Sequence, residues 1–251
     1  MEALYAFMRV TDDLADEPGE TSTKRDNLNR WRDSLTAALR GTFSHSLHPA
    51  LADTVARYGI DPAHLFAVID GMETDLEPVR FRTFAELYRY CYRVSCVVGL
   101  ACVRIWGFRP GVTFEDVEPF SEAAGIAFQL TNILRDLGED LSNGRVYLPE
   151  EELIACPPDS WRKPESAASF REMMRFQADR AHAFYRKAEP LDRLLSNEGR
   201  AIYRVMSGTY RALLREIEKR NFDVFTERVR VAKWRKAAIL LSAWPVKWGW
   251  R

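Results

Sequence analysis

The stretch FQLTNILRDLGEDLSNGRVYLP, residues 128–149, constrains this chain more than any other. On a helix, Gln129, Asn132, Asp136 and Asp140 are separated by three, four and four residues, so their side chains share one face. Leu130, Ile133, Leu134 and Leu137 supply the adjoining apolar face. Unpaired carboxylates are not buried without a partner, and an apolar stripe is not left wholly in water. The spacing therefore predicts a helix that lies against a core and holds divalent cations along one edge. Carboxylate and amide oxygens are hard ligands that suit Mg²⁺, with Mn²⁺ as a substitute. No His or Cys joins the stripe, which argues against zinc. Asn143-Gly144 ends the helix, and Arg145 and Tyr147 bring a cation and a phenol to its mouth.

A second stripe stands at the start of the chain. In LYAFMRVTDDLADE, the residues Tyr5, Arg9, Asp12 and Asp16 are four, three and four apart, again one helical face. Two aspartates four apart lie roughly 6 Å from each other along a helix axis. Alone, such a pair is usually a solvated acidic face. Two pairs facing each other across a bundle would instead form a cage for several Mg²⁺ ions, and such a cage suits a polyanion such as diphosphate.

The segments YAFMRVTDDLAD and FQLTNILRDLGEDLSNGRVYLP resemble the two aspartate-rich signatures of the squalene/phytoene synthase family. The segments LYRYCYRVSCVVG (87–99) and YRALLREIEKRNFDVFTERVRVAKWRK are similar to further parts of it, in the family's order. The resemblance implies an all-α, single-domain helical bundle of isoprenoid-synthase type around a central cavity, spanning residues 1–251. It implies metal ligation by Asp12, Asp16, Asn132, Asp136 and Asp140. It implies diphosphate binding by Arg9, Arg135, Arg145 and Arg228 with Gln129 in support, through guanidinium forks that match phosphate oxygens. Tyr5, Tyr90, Tyr147 and Tyr210 are expected to line the reaction centre, where ring faces stabilise cationic carbon.

The implied reaction is a Mg²⁺-dependent head-to-head condensation of two isoprenyl diphosphates, C15 or C20, through a cyclopropylcarbinyl diphosphate. The tail EIEKRNFDVFTERVRVAKWRK is closer to bacterial phytoene synthases, which join two geranylgeranyl diphosphates. The alternatives are a squalene synthase, which would need NADPH, and a presqualene diphosphate synthase, both acting on farnesyl diphosphate. From another class, a non-catalytic helical accessory protein would keep the fold without needing five matched ligands. Family members carry a helical segment before the first aspartate signature; here that signature begins at once, so Met1 is read as an internal methionine.

Composition fits this reading. Lys plus Arg equals Asp plus Glu, 36 against 36, and a neutral chain is a poor nucleic-acid partner. Four cysteines without a C-x-x-C pair read as reduced thiols in a cytoplasmic protein. The N-terminus has no secretory pattern, and no run of about eighteen apolar residues is present. Trp244, Trp248 and Trp250, with Lys247 and Arg251, form an aromatic and basic tail. It is read first as packing and second as a peripheral membrane contact.

Periodicity and caps predict helices over Glu2–Asp16, 21–40, 50–58, 62–76, Thr83–Trp106, a short Thr113–Phe120 piece, a central helix from Ser121, then 166–195, 197–221 and 228–243. Residues 149–164, crowded with proline and tryptophan, read as irregular. In the helix from Thr83, Tyr90, Val94 and Val97 are expected on one face. Ser95 and Gly99 lie four apart. Tight packing is the plainer reading of these residues, and a cavity wall is the reading the resemblance favours.

Overall fold

The computed structural model describes residues 1–247. Trp248, Trp250 and Arg251 of the tail lie outside the described residues. Regular structure among the described residues is helical, with two isolated β-bridges, Arg80 to Val146 and Phe108 to Leu195. The helices are α1 (Glu2–Asp16), α2 (Thr21–Ala38), α3 (His48–Tyr58), α4 (Pro62–Thr74), α5 (Phe84–Cys91), α6 (Val97–Trp106), α7 (Phe114–Ser142), α8 (Ala167–Lys187), α9 (Leu191–Leu194), α10 (Asn197–Lys219) and α11 (Lys233–Lys247).

The central helix α7 is longer than its sequence pattern suggested. It runs unbroken through Pro119, where a separate short piece was expected. Proline removes one backbone hydrogen bond there. Two local features offset the loss. A capping box fixes the start: the Thr113 side chain accepts from Asp116 N–H, and the Asp116 carboxylate accepts from Thr113 N–H at 2.9 Å. Val117 and Ser121, on either side of the proline, are buried.

Three apolar cores form among the described residues. One joins α7 to α8, α10 and the 147–161 segment; a second gathers α1–α4 against α6; a third sets the first half of α7 against α9 and Tyr203 of α10. Between α5 and α6 the helix widens into one π turn, Tyr92–Cys96. The turn packs on α7 at Gly125, where a Cβ would stand 2.7 Å from the Cys96 Cα, so only glycine fits. Ser95 Oγ donates to the Gly125 carbonyl at 2.9 Å. A π turn adds a residue to the helical repeat. That addition explains why Tyr90 leaves the face shared by Val94, Val98 and Gly99, against the expectation of a regular helix.

Two other expectations need correction. The helix expected over 166–195 stops at Lys187, and a four-residue turn of helix follows Pro190. Residues 228–232, expected as helix, are not helical; α11 begins at Lys233. Residues 150–166 hold three short 3₁₀ turns, in keeping with an irregular segment.

Candidate active site

The α7 stripe runs beside Leu130, Ile133, Leu134 and Leu137, which α7 gives to the first core. Asp136 is the most heavily paired of its residues. Arg135 grips it with both nitrogens of its fork, Nε at 2.8 Å, and Arg228 Nε donates to the same carboxylate at 2.9 Å. Arg228 reaches there because the 222–231 segment lies against α7 at Gly138, where a Cβ would meet the Val224 carbonyl at 2.7 Å. Asp140 has no such partner. Burial pushes its carboxyl up to about 7, and the charges of Asp136, Glu139 and Asp75 add to the rise, while Arg145 opposes it. Asn132 Oδ1 is buried and meets no hydrogen-bond donor among the described residues.

A residue that sequence reasoning did not single out gathers Tyr90, Tyr147 and Arg145. Asp75 caps the C-terminus of α4. The Tyr90 hydroxyl donates to one of its carboxylate oxygens at 2.9 Å, and the Tyr147 hydroxyl donates to the other at 2.9 Å. The two phenol rings stack at 5.2 Å, and Arg145 donates to the Asp75 backbone carbonyl at 3.0 Å. Burial raises the Asp75 carboxyl; the two phenols and Arg145 pull it down, and the charge of Asp16 raises it further. Burial, followed by the Asp75 charge, also holds Tyr90 and Tyr147 far above the ordinary phenol range. Asp75 therefore feels Asp16 from α1 and acts on Asp140 from α7. Nothing in the segment ETDLEP marks it out from the acids beside it.

The α1 stripe is more open. Leu4, Phe7, Thr11 and Ala15 face the core, which leaves Tyr5, Arg9, Asp12 and Asp16 on the outer edge. Arg9 pairs with Asp13 at 2.7 Å and with Asp12 at 3.6 Å. Burial, then the neighbouring Asp16, raises the Asp12 carboxyl. Tyr5 is 70% exposed and lines neither of the two cavities described below, whereas its expected place is at the reaction centre. An outward position on a one-sided helix accounts for that.

Beside the stripe lies a cavity of about 230 Å³. Its walls are mostly apolar, from Val94, Val98 and Gly99 of the π turn and α6, Phe128 of α7 and Met206 of α10; Gln129 and Asn132 are its polar edge. Tyr210 stacks on Phe128 at 4.5 Å and lines both this cavity and a second cleft of about 480 Å³. The second cleft is basic, with Arg135, Arg228, Arg230 and Lys236. Tyr90, expected on the apolar wall, instead faces Asp75 with Tyr147.

Among the described residues, no three His, Cys, Asp or Glu side chains converge closely enough to hold a metal by themselves. The four aspartates of the two stripes lie in pairs on two helices, α1 and α7. The residues nevertheless fit a divalent cation. An unpartnered amide oxygen on Asn132 and a carboxyl raised by burial and by like charges on Asp140 are groups that a hard cation would relieve.

The squalene/phytoene synthase family model matches residues 1–235. The chain belongs to the squalene/phytoene synthase family. It is 39% identical over 246 residues to the chloroplastic phytoene synthase of Daucus carota, covering 96% of this chain and 62% of the carrot protein. It is 37% identical over 257 residues to the 15-cis-phytoene synthase of Synechococcus elongatus, covering 95% and 80%. The chain thus spans about three fifths of the length of plant relatives such as the carrot protein. The crystal structure of a dehydrosqualene synthase superposes with a TM-score of 0.81 at 24% identity, covering 99% of this chain and 86% of that one. A squalene synthase from Alicyclobacillus acidocaldarius gives 0.76 at 24% identity, covering 88% and 82%. The all-helical fold of this chain is thus shared with these two structures.

Proposed function

We propose that this chain catalyses the head-to-head condensation of two geranylgeranyl diphosphates to phytoene, as a Mg²⁺-dependent prenyltransferase. The observation that supports the reading most is an apolar cavity whose polar edge, Gln129 and Asn132, belongs to the same helical stripe as Asp136 and Asp140. Relatives named phytoene synthase, at 37–39% identity, favour the phytoene type.

Asp12, Asp16, Asn132, Asp136 and Asp140 would hold Mg²⁺, or Mn²⁺ in its place. When bound, the metal supplies charge neutralisation of the departing diphosphate. Arg135, largely buried, and Arg228, half exposed, are already held against Asp136 and carry the forks that fit phosphate oxygens. Arg9 and Arg145 border the two stripes, and Gln129 stands at the cavity edge. The apolar walls exclude water from an allylic cation, and the stacked Phe128 and Tyr210 rings offer their faces to it. Asp75 fixes both phenol oxygens, on Tyr90 and Tyr147, at the polar end of the site. At about 230 Å³ the ligand-free cavity is smaller than the roughly 300–1,000 Å³ typical of ligand pockets, so two prenyl tails must widen it. Four free, buried cysteines support a reducing, cytoplasmic setting.

The test is a product assay. Labelled geranylgeranyl and farnesyl diphosphates are supplied separately with Mg²⁺, with and without NADPH. Phytoene from the C20 substrate without NADPH is the expected result. A C30 product from farnesyl diphosphate alone would replace the phytoene reading with the squalene or presqualene one. No condensation of either substrate would overturn catalysis by this chain.

A further inference from the structure

The cavity beside the α7 stripe has a direction. On α7 it runs from Asn132 back to Ser121, eleven positions and so roughly 16 Å along the helix axis. On α6 it touches Val98, Cys102 and Trp106, each four residues from the next and so on one face. The two helices are antiparallel here. Ser95 Oγ meets the Gly125 carbonyl at 2.9 Å, a Cβ on Gly99 would stand 3.4 Å from Ser121 Oγ, and the Arg104 guanidinium lies over the Phe114 ring at 3.7 Å. Moving along α6 toward its C-terminus therefore leads away from Asn132. The polar edge, Gln129 and Asn132, is one end of the cavity, and Trp106, the last residue of α6, is the other.

Side-chain size changes along that direction. The α6 wall is built from small groups, Val98, Gly99 and Cys102, until Trp106 closes it with an indole. The indole is firmly seated. Its backbone carbonyl accepts from Ser196 Oγ at 2.6 Å, and the Gly107 carbonyl accepts from Ser196 N–H at 3.0 Å. Gly199 of α10 comes so close that a Cβ there would stand 2.8 Å from the Trp106 Cβ. Leu191 and Tyr203, which also line the cavity, belong to the third core, and Trp106 packs against that core. A packed core has little room into which such a ring could retreat. The indole N–H is buried and has no acceptor among the described residues, so the ring acts here by its bulk and not through a hydrogen bond.

We propose that Trp106 sets the longest prenyl tail this cavity accepts. The inference rests on the reading above, in which prenyl tails enter the cavity with their diphosphates at the polar end. A diphosphate held near Asn132 fixes where a tail begins, so the residue at the opposite end decides where it must stop. An apolar pocket discriminates one extra methylene by about 10–200-fold. A further isoprene unit brings several carbons against a ring that is held from behind. Trp106 meets the far end of the tail and not the reacting atoms, so it acts on the choice between tail lengths rather than on the chemistry.

The test measures binding of unreactive prenyl thiolodiphosphates, C15, C20 and C25, to the 251-residue chain by calorimetry with Mg²⁺. Wild type should bind the C20 mimic at least about tenfold more tightly than the C25 mimic. Trp106→Ala should bring those two within about threefold of each other, with C15 binding little changed. Trp106→Phe keeps a ring and loses no protein hydrogen bond, so it should keep the wild-type preference. Trp106→Leu fills more of the third core than alanine does and should fall between; it carries the test if the alanine variant loses its helical dichroism. An unchanged C20-to-C25 ratio in the folded alanine or leucine variant would overturn the proposal. So would a wild type that binds C25 as tightly as C20, or that binds none of the mimics. Condensation is assayed separately. Binding that follows these ratios without any condensation would end the catalytic reading and keep the length gauge; condensation with an unmoved length preference would do the reverse.

Discussion

The two aspartate stripes share the same spacing and differ in nearly everything else. On α7, Asp136 is held by two arginines, Asp140 is pushed up to about 7, and the Asn132 amide oxygen is buried without a donor. On α1, Asp12 is 48% exposed, and Arg9, 60% exposed, pairs with its own helix neighbours. Sequence spacing assigns a face, but the environment of that face comes from what packs around it. Helix α7 has neighbours on several sides, whereas α1 is buried along one edge only. The α7 stripe is thus held by its surroundings, and the α1 stripe is open to solvent. The Asp75 carboxylate, held by Tyr90 and Tyr147, adds its charge to the field at Asp140.

The largest expected effect tests the α7 stripe. Asp136→Asn should lower kcat by about 10²–10³, the scale of losing one preorganised charge-stabilising group, with the thermal transition retained. Asp16→Asn should cost a comparable factor if the stripes serve one site. A loss below about tenfold at Asp16 alone would leave α1 outside the chemistry and break the comparison.

Next in size is Asp75. Asp75→Asn should cost about 10–100-fold in activity or metal affinity, as supporting residues around a metal site typically do. Its effect should appear in the Mg²⁺ dependence of the rate, which a purely structural role would leave unmoved. An unchanged Mg²⁺ dependence would remove Asp75 from the site.

A smaller effect separates the stripes by pH. The Asp140 carboxyl in the folded protein lies well above its ordinary value of 3.8, near 7. A raised acid favours the folded state fully below its unfolded pKa, and that contribution is lost as pH rises through the folded value. In metal-free protein, Asp140→Asn should therefore raise the Tm at slightly alkaline pH, with the gain shrinking as pH falls through about 7. Mg²⁺ with diphosphate should abolish the gain by stabilising the wild type alone. A gain independent of pH would mean that Asp140 is not strained by its charge.

The smallest expected effect is at Tyr5. Exposed and outside both cavities, Tyr5→Phe should leave activity within about twofold, as surface changes generally do. A tenfold loss would show that α1 turns inward when substrate binds.

Much of this architecture was legible in the sequence because it depends on local rules. The ends of α1, α4 and α7 follow from Pro18-Gly19, from the Asp61-Pro62 cap and from Asn143-Gly144. What escaped depends on tertiary packing. Pro119 reads as a break, yet a capping box and buried neighbours carry the helix through it. Pro190 does end a helix, and periodicity alone ran past it. The π turn at Tyr92–Cys96 has no local signature and reassigns Tyr90 from the cavity wall to Asp75. Asp75 itself gains its importance only from two phenols contributed by residues 15 and 72 positions further along the chain.

The central claim is that the two stripes act as one diphosphate and metal site. A double-mutant cycle in Mg²⁺-dependent diphosphate binding, read by calorimetry, tests it most directly. The four proteins are the wild type, Asp16→Ala, Asp140→Ala and the double variant. If both carboxylates serve one bound diphosphate, the double variant should lose less than the sum of the single losses, by about 0.5–3 kcal/mol. Strict additivity, within about 0.3–0.5 kcal/mol, would mean two independent acidic faces and would contradict the account.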